Sequence, residues 1–396
     1  MPVLLVLGAG SAQLGLLEAA RACGDLHVIV ADRDPQASGF ALADERAVIS
    51  SEDEAALERL ARARDVDGIV SPGADWPVGI AARIAERIGL PHPIDAATGS
   101  VATSKARQRE RFVQAGVPHP RALDPASPHL PFPCVVKAPD RQGQRGLALV
   151  TAPTKLEEAL AEAVREARSG ASLVEELVDG PEITVNAVWR EGTPTVLSVT
   201  DRILADPPAF GVALAHAWPS LHATEAAVSV AADAVRALGI RNGPSYVQVR
   251  VADDGPRVME VAARLGGGHD AELCDAALGV DLNALAIVFA LGEDDAMGSD
   301  PGGVRPQPSV AGACVLFLVA PPGELVAVHG LEDARAVEGV RWVRSYRRPG
   351  FRFGPLRRGA DRAGAILAVG SSREDALGRA ERAAQTVRFE VDADAP

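Results

Sequence analysis

The sequence predicts a mixed α/β and α+β protein of three domains, and three observations support this prediction. First, its 396 residues exceed one hydrophobic core, since cores stop growing at about 250–300 residues. Second, apolar runs alternate with amphipathic segments along the first ninety or so residues, which is typical of a parallel sheet covered by helices on both faces. Third, this alternation ends after the first ninety or so residues, and the residue composition changes again near residue 293. We therefore expect domains at residues 1–97, 98–295 and 308–396.

The composition excludes several classes of protein. Hydrophobic residues make up 47% and charged residues 23%, values typical of a folded soluble protein. The net charge of −13 disfavours nucleic acid as a partner. Apolar runs reach about ten residues, half of a membrane-spanning helix, and the N-terminus MPVLLVLGAGSAQLG lacks the basic region of a signal peptide. The four cysteines form no C-x-x-C pair. We expect a cytoplasmic protein with reduced thiols and no membrane partner.

The first domain opens with a glycine turn that has three interpretations. An apolar run at residues 2–7 ends in Gly8-Ala9-Gly10, and a second run at 27–31 is closed by Asp32. A G-x-G turn with an acid after the next strand is the pattern of an NAD site. However, Gln13 stands at the third glycine position. A small-anion site and a purely structural turn therefore remain open as well.

The second domain contains two predicted hairpins. Residues 134–137 form an apolar strand that ends at Lys137, and DRQGQRG (140–146) separates it from a return strand at 147–150. A glycine-containing turn of this kind can fold over a phosphate with its N–H groups pointing inward. Strands at 246–251 and 257–262 flank a second turn. Residues 293–310, rich in Gly, Pro, Asp and Ser, predict a linker to the third domain.

Lysine is rare in this chain. Of 40 basic residues only three are lysines, Lys105, Lys137 and Lys155. A lysine retained where arginine is otherwise preferred indicates a position that needs a compact ammonium, such as a phosphate contact. Lys155 opens an exposed helix, and we assign it no role. Lys105 and Lys137 are candidate phosphate-binding residues.

Five ordered segments resemble the ATP-grasp superfamily, and within it the carboxylate–amine (L-amino-acid) ligases. They are SKARQRERF, PCVVKAPDRQGQRG, VEELVDGPEITV, AHAWPS and VMEVAARLGGGH. The resemblance covers most of the chain. It implies a Rossmann-like pre-ATP-grasp domain, an ATP-grasp domain of two α+β subdomains, and a small α+β C-terminal domain like that of biotin carboxylase. It also implies a ligase that forms an amide through an acyl phosphate, with small amino-acid-like carboxylates and amines as substrates.

The resemblance implies a role for each candidate site residue. Lys105 and Lys137 would contact the phosphates of ATP under the hairpin containing Gly143 and Gly146. The adenine and ribose contacts would be Glu175, Glu176, Leu177 and Glu182. Glu260 would bind Mg²⁺ or Mn²⁺, and Arg264 would stabilise the acyl phosphate. The substrate pocket would contain His216, Gly267, Gly268, His269 and Asp270. A homodimer is also expected from the family.

The sequence departs from the family at the metal site. The usual first metal carboxylate is Gln248, which brings an oxygen but no charge, and the usual asparagine after Glu260 is Ala262. Asp270 or Glu272 could replace the missing acid. Otherwise catalysis could be lost, and the chain would then be a nucleotide-binding protein without turnover.

Two further functions fit parts of the sequence. GAGSAQLG also resembles the opening of a purine-pathway ATP-grasp carboxylase, and Gly8, Gly10 and Asp32 would serve an NAD-dependent oxidoreductase. Purely structural roles are open at single residues. Glu260 and Arg264 could form a surface ion pair, and the Glu175-Glu176 pair could simply end an exposed strand.

Overall fold

The N-terminal part of the chain is a four-stranded parallel sheet with helices on its faces. The computed structural model describes residues 1–293 and 306–393, so most of the predicted linker lies outside the described residues. The strands are β1 (Val3–Leu7), β2 (His27–Ala31), β3 (Glu45–Ala47) and β4 (Gly68–Val70), in the order β3-β2-β1-β4. The helices are α1 (Leu14–Ala22), α2 (Glu54–Ala63) and α3 (Asp75–Ile88). Strand β1 is almost entirely buried, as expected for a sheet covered on both faces.

The glycine turn after β1 is closed by side chains of the protein itself. Asp32 accepts hydrogen bonds from the N–H groups of Ala9 (2.7 Å) and Asp34 (2.9 Å). Gln13 accepts one from the N–H of Gly10 (3.0 Å) and donates to the carbonyl of Pro72 (2.7 Å). The Asp32 carboxylate that an NAD ribose would need is therefore engaged, and the Gln13 side chain fills the turn. Of the three interpretations, this geometry favours the structural turn.

A small antiparallel sheet follows, and it contains the glycine hairpin. Its strands are β5 (Cys134–Lys137), β6 (Ala148–Val150) and β7 (Leu173–Glu176), in the order β6-β5-β7. The helices of this region are α4 (Ala96–Ala102), α5 (Lys105–Ala115) and α6 (Leu156–Glu166). Helix α5 begins where the Ser104 side chain caps it and ends at Gly116, whose φ of +69° suits glycine. This cap places Lys105 at the very start of the helix.

The central sheet has eight strands and continues into the C-terminal part of the chain. The strands are β8 (Glu182–Arg190), β9 (Thr193–Leu204), β10 (Ala213–Trp218), β11 (Gly243–Ala252), β12 (Gly255–Ala262), β13 (Gly312–Leu318), β15 (Val340–Ser345) and β17 (Gly364–Gly370). Their order is β12-β11-β8-β9-β10-β13-β17-β15. The junction is the antiparallel pair β10–β13, in which His216 lies opposite Val315. The mixed α/β and α+β fold class predicted from the sequence is confirmed.

The remaining elements cover this sheet. A third small sheet contains β14 (Gly323–His329), β16 (Arg352–Phe353) and β18 (Arg388–Asp392), in the order β16-β14-β18. The helices are α7 (Glu225–Ala237), α8 (Asp270–Leu278), α9 (Leu282–Leu291), α10 (Leu331–Ala336) and α11 (Arg373–Thr386). One apolar core includes residues of β1, α8, α9, β13 and β17. The N-terminal sheet, α8–α9 and the C-terminal strands are thus packed on one another.

No single helix among the described residues is long and apolar enough to cross a membrane. Helices α8 and α9, which are bent by 115° at their junction, meet the length and composition criteria only when taken together.

Candidate active site

A cleft of about 790 Å³ lies between the small sheet and strands β11 and β12. Its walls include nine of the residues singled out in the sequence: Lys105, Lys137, Gly143, Glu175, Glu176, Leu177, Glu182, Gln248 and Glu260. Apolar side chains such as Phe210 and Met259 line the rest. These residues are spread over more than 150 positions of the chain, and the fold brings them to one cavity.

Glu175 forms a buried cluster with two cations. It is fully buried, and its carboxylate binds the Lys137 ammonium and the Arg109 guanidinium (Nε–Oε1, 2.6 Å). Burial opposes the charge of Glu175, but Lys137 and Arg109 together lower its pKa to about 2. Burial also lowers the pKa of Lys137, against the attraction of Glu175. The interpretation of Glu175 as an exposed strand end is therefore wrong.

Arg109 was not singled out in the sequence. It lies four residues after Lys105 on α5, so both side chains lie on the same face of that helix. This spacing is the signal that could have found it. Arg109 also donates to the Met259 carbonyl (2.8 Å), and it thereby ties α5 to both walls of the cleft.

The end of β7 provides a free backbone segment. The Glu176 carboxylate accepts a hydrogen bond from the Arg121 N–H (2.9 Å), and it forms an ion pair with the Arg121 guanidinium (3.3 Å). Within the described part of the chain, the backbone of Leu177 makes no hydrogen bond, although Leu177 lines the cleft. An unpaired N–H and C=O beside an apolar wall can pair with the edge of a planar base.

Glu182 lies between two arginines. It is register partner of both Arg202 on β9 and Arg250 on β11, and its carboxylate binds both guanidinium groups. The acid that was matched to the ribose contact is thus held in a fixed position at the cleft wall.

Gln248 and Glu260 face each other across the β11–β12 ladder. They are register partners, and the Glu260 carboxylate also binds the Lys105 ammonium (2.8 Å). Burial opposes the charge of Glu260, but Lys105 lowers the pKa of this carboxyl group. Mg²⁺ is usually held by one or two carboxylates together with substrate phosphates. One carboxylate and one amide oxygen therefore fit a single Mg²⁺ that also binds nucleotide.

The part of the chain that the structure describes adds no larger cluster of metal ligands to this pair. Among the described residues, no three His, Cys, Asp or Glu side chains are grouped to hold a metal ion. Asp270 is bound to His216, and Glu272 is bound to His269 and Arg344. Neither acid lines the cleft that contains Gln248 and Glu260.

Arg264 is bound to a residue of the N-terminal sheet region. Its Nε and Nη2 lie 2.7 and 2.6 Å from Oδ1 of Asp75, the first residue of α3. Burial raises the pKa of Asp75, and Arg264 opposes this shift. Both side chains are largely buried, and Glu260 is bound to Lys105, so the interpretation as a Glu260–Arg264 surface pair is wrong. Arg264 does not line the 790 Å³ cleft. Asp75 was missed because nothing near it in the sequence suggests a site.

The candidate substrate residues divide into two groups. His216 Nδ1 lies 2.9 Å from Oδ1 of the fully buried Asp270, and a Cβ at Gly268 would lie 2.8 Å from the His216 ring. Burial opposes the charge of Asp270, but His216 lowers its pKa. His216, Gly268 and Asp270 are therefore together, as the resemblance implies.

The other candidate residues make contacts with different parts of the protein. His269 hydrogen-bonds to Glu272 (2.8 Å) and to Tyr346 of the C-terminal part (2.6 Å). A Cβ at Gly267 would lie 3.0 Å from the Gly73 carbonyl, so this glycine packs on the N-terminal part. Gly146 (φ +63°) closes the base of the hairpin, where its carbonyl accepts from the Ala138 N–H.

Two segments of the chain match known protein families. Residues 130–272 match the ATP-grasp domain, and residues 316–392 match the L-amino acid ligase C-terminal domain 2. Residues 130–272 therefore form an ATP-grasp domain. The two matches together identify an ATP-dependent carboxylate–amine ligase that is similar to the L-amino acid ligases.

Several known proteins are similar to this chain in sequence or in fold. Uncharacterized protein y4rH of Sinorhizobium fredii is 29% identical over 390 residues, which are 92% of this chain and 78% of that protein. Carnosine synthase 1 of Gallus gallus is 28% identical over 351 residues, which are 79% of this chain but only 37% of the synthase. The crystal structure of L-amino acid ligase from Bacillus licheniformis superposes with a TM-score of 0.82, at 22% identity and 99% coverage of both chains.

Proposed function

We propose that this protein uses ATP to join a small, amino-acid-like carboxylate to an amine through an acyl phosphate. The single observation behind the proposal is the cleft that gathers Lys105, Lys137 and the Gln248–Glu260 pair beside the free backbone of Leu177. Phosphoryl transfer from a nucleotide requires cations and a metal ion at the phosphates and a contact for the base. The two lysines, the Gln248–Glu260 pair and the Leu177 backbone would provide these groups.

The first proposed step is phosphoryl transfer. A carboxylate oxygen of the substrate forms a bond to the γ-phosphorus of ATP while the bond to the bridging oxygen breaks, and ADP leaves. Lys105 and Lys137 neutralise charge on the phosphate oxygens, and Glu260 with Gln248 would hold the metal ion. Mg²⁺ or Mn²⁺ supplies Lewis-acid neutralisation of phosphate oxygens when bound.

The second proposed step is amide formation. The amine nitrogen forms a bond to the acyl carbon while the bond from that carbon to the phosphate oxygen breaks, and the departing phosphate accepts the proton that the nitrogen loses. Arg264, oriented by Asp75, stabilises the charge on the acyl phosphate, and His216 with Asp270 and Gly268 contacts the substrate. The hairpin at residues 140–146 excludes water from the acyl phosphate.

Further proposals concern organisation. We place the pre-ATP-grasp domain at 1–97, the ATP-grasp domain at 98–295 and the C-terminal domain at 308–396, supported by the separate N-terminal sheet and the two family matches. The C-terminal match favours an amino-acid ligase over a purine-pathway carboxylase. A cytoplasmic location and a homodimer stay predictions.

The proposal is tested by phosphate release from Mg-ATP, screened over pairs of amino acids, with the products examined for new amide masses. We expect release that requires two substrates and falls at least about 100-fold in Lys137→Ala and in Arg264→Ala. Lys155→Ala is the control, because Lys155 lies outside the cleft. A thermal shift with NAD and none with ATP would overturn the proposal.

A further inference from the structure

A second and larger cavity, of about 1860 Å³, adjoins the nucleotide cleft. Its walls come from the glycine turn and the loop after β2, from the hairpin at residues 142–145, and from the segment after β15. Arg145 lines both this cavity and the nucleotide cleft. A molecule in the second cavity can therefore extend to the phosphate end of the first.

The cavity contains arginines without a counterion. Arg33, Arg145 and Arg347 line it, and none of them forms an ion pair with any carboxylate in residues 1–293 and 306–393. The acids of the same walls already have partners. Asp32 accepts two backbone N–H groups, Asp34 accepts the Gln36 N–H (2.9 Å), and Glu52 pairs with Arg168.

The direct contacts of the Arg347 guanidinium are with neutral groups. Its Nη2 donates to the Ala360 carbonyl (2.9 Å), and its guanidinium lies 4.2 Å from the Phe351 ring centroid. Its Nε is enclosed and has no hydrogen-bond partner among the described residues. The group is thus oriented, while part of its donor fork remains unused.

Other arginines also repel Arg145. Burial lowers the pKa of Arg145, and the nearby Arg141, Arg358 and Arg33 lower it further, against Glu166. Burial likewise lowers the pKa of Arg347, against the attraction of Asp34 and Asp361. Partly buried arginines without an ion pair are costly, and a bound anion would reduce this cost.

We propose that this cavity, the arginine pocket, binds a second anionic group of the substrate, a carboxylate or a phosphate, through Arg347, Arg145 and Arg33. The inference rests on the proposed ligase function and narrows its substrate class. The acid or the amine would be an amino acid with an anionic side chain, whose reacting group extends past Arg145 into the cleft.

The test is calorimetric binding to the protein saturated with Mg-ADP. The probes are L-aspartate, L-glutamate and O-phospho-L-serine, each compared with its neutral counterpart, L-asparagine, L-glutamine or L-serine. We expect at least one anionic probe to bind about tenfold or more tightly than its counterpart, and the probe that does so separates carboxylate from phosphate. Equal or undetectable binding of all pairs would overturn the proposal.

Substitutions assign the preference to the pocket. In Arg347→Gln the preference should fall to about equal binding, and in Arg33→Gln, an exposed position, it should weaken. The thermal shift with Mg-ADP should persist in both and shows that they are folded. Arg341→Gln, an exposed arginine outside the cavity, is the matched control. A preference that survives in Arg347→Gln and Arg33→Gln contradicts the assignment.

The two proposals fail in different ways. Amide formation from neutral amino acids, without any anionic preference in binding, would leave the ligase in place and remove the arginine pocket. Preferential binding of an anionic probe without ATP turnover for any substrate pair would keep the pocket and contradict the ligase.

Discussion

Glu175 is the residue on which the cations of the nucleotide cleft depend. Replacing it in Glu175→Gln leaves Lys137 and Arg109 buried without a counterion. We expect the free energy of unfolding at pH 7 to fall by about 3–5 kcal/mol, as for other broken buried ion pairs. Urea denaturation of both proteins measures this difference. Glu176→Gln, which breaks only a half-exposed pair with Arg121, should cost less than about 1 kcal/mol.

The same pair of proteins has a defined pH dependence. The pKa of Glu175 lies at about 2 in the folded protein, below its ordinary value of 4.5. The stabilisation is therefore complete above about pH 4.5 and is lost as the pH falls towards 2. Wild type and Glu175→Gln should converge in stability over this interval. A constant difference between them at pH 5, 4 and 3 would contradict the ion-pair account.

At the residue scale, the sequence singled out residues that the fold brings to one cleft, but it did not predict their partners. Lys105 and Lys137 were singled out because lysine is rare in this chain, and Glu260 because it resembles a family motif. Arg109 and Asp75 were missed, since their partners Glu175 and Arg264 lie 66 and 189 residues away. Pairing over such distances is decided by tertiary packing, and no local pattern encodes it.

At the scale of elements, the register of the β11–β12 hairpin sets the charge of the proposed metal site. Gln248 faces Glu260 in register, so Gln248→Glu places two carboxylates at the same point. One added charge should lower the Mg²⁺ concentration for half-maximal ATP binding by about tenfold. Calorimetric titration of ATP at several Mg²⁺ concentrations measures this effect.

The control for the hairpin is Gln385→Glu, an identical charge change at an exposed position of α11. An equal effect of both substitutions would show that net charge acts, and that Gln248 has no special relation to the metal. An increase of turnover in Gln248→Glu would support the hypothesis of an inactivated site, whereas a decrease would indicate a site adapted to glutamine.

Elements were predicted well where the pattern is local. The alternation of apolar and amphipathic segments predicted the parallel N-terminal sheet. The glycine-containing segment at residues 140–146 predicted the β5–β6 hairpin. The antiparallel pairing of β10 with β13 was not predicted, since about a hundred residues separate these strands. Both are short apolar strands, and their sequences do not specify which neighbour each will take.

At the scale of the whole molecule, the C-terminal strands extend the central sheet, and α11 is tied to it. Arg373 at the start of α11 pairs with the buried Asp201 of β9 (2.8 Å). Asp201 also binds the Leu221 N–H (3.0 Å) and the Ser220 hydroxyl. This contact connects β9 and the segment before α7 with the C-terminal part.

The closest approach at this junction is at Gly312, the first residue of β13. A Cβ there would lie 2.1 Å from the Ser372 carbonyl oxygen and 2.4 Å from the Arg373 nitrogen, and backbone atoms cannot move aside as a side chain can. We therefore expect Gly312→Ala to displace the start of α11, weaken the Arg373–Asp201 pair and lower the free energy of unfolding by about 1–3 kcal/mol. Gly354→Ala is the matched control, since no atom lies within 4 Å of its Cβ position. Urea denaturation and hydrogen exchange of residues 371–376 measure the effect, and equal stability of the two variants would contradict a close-packed junction.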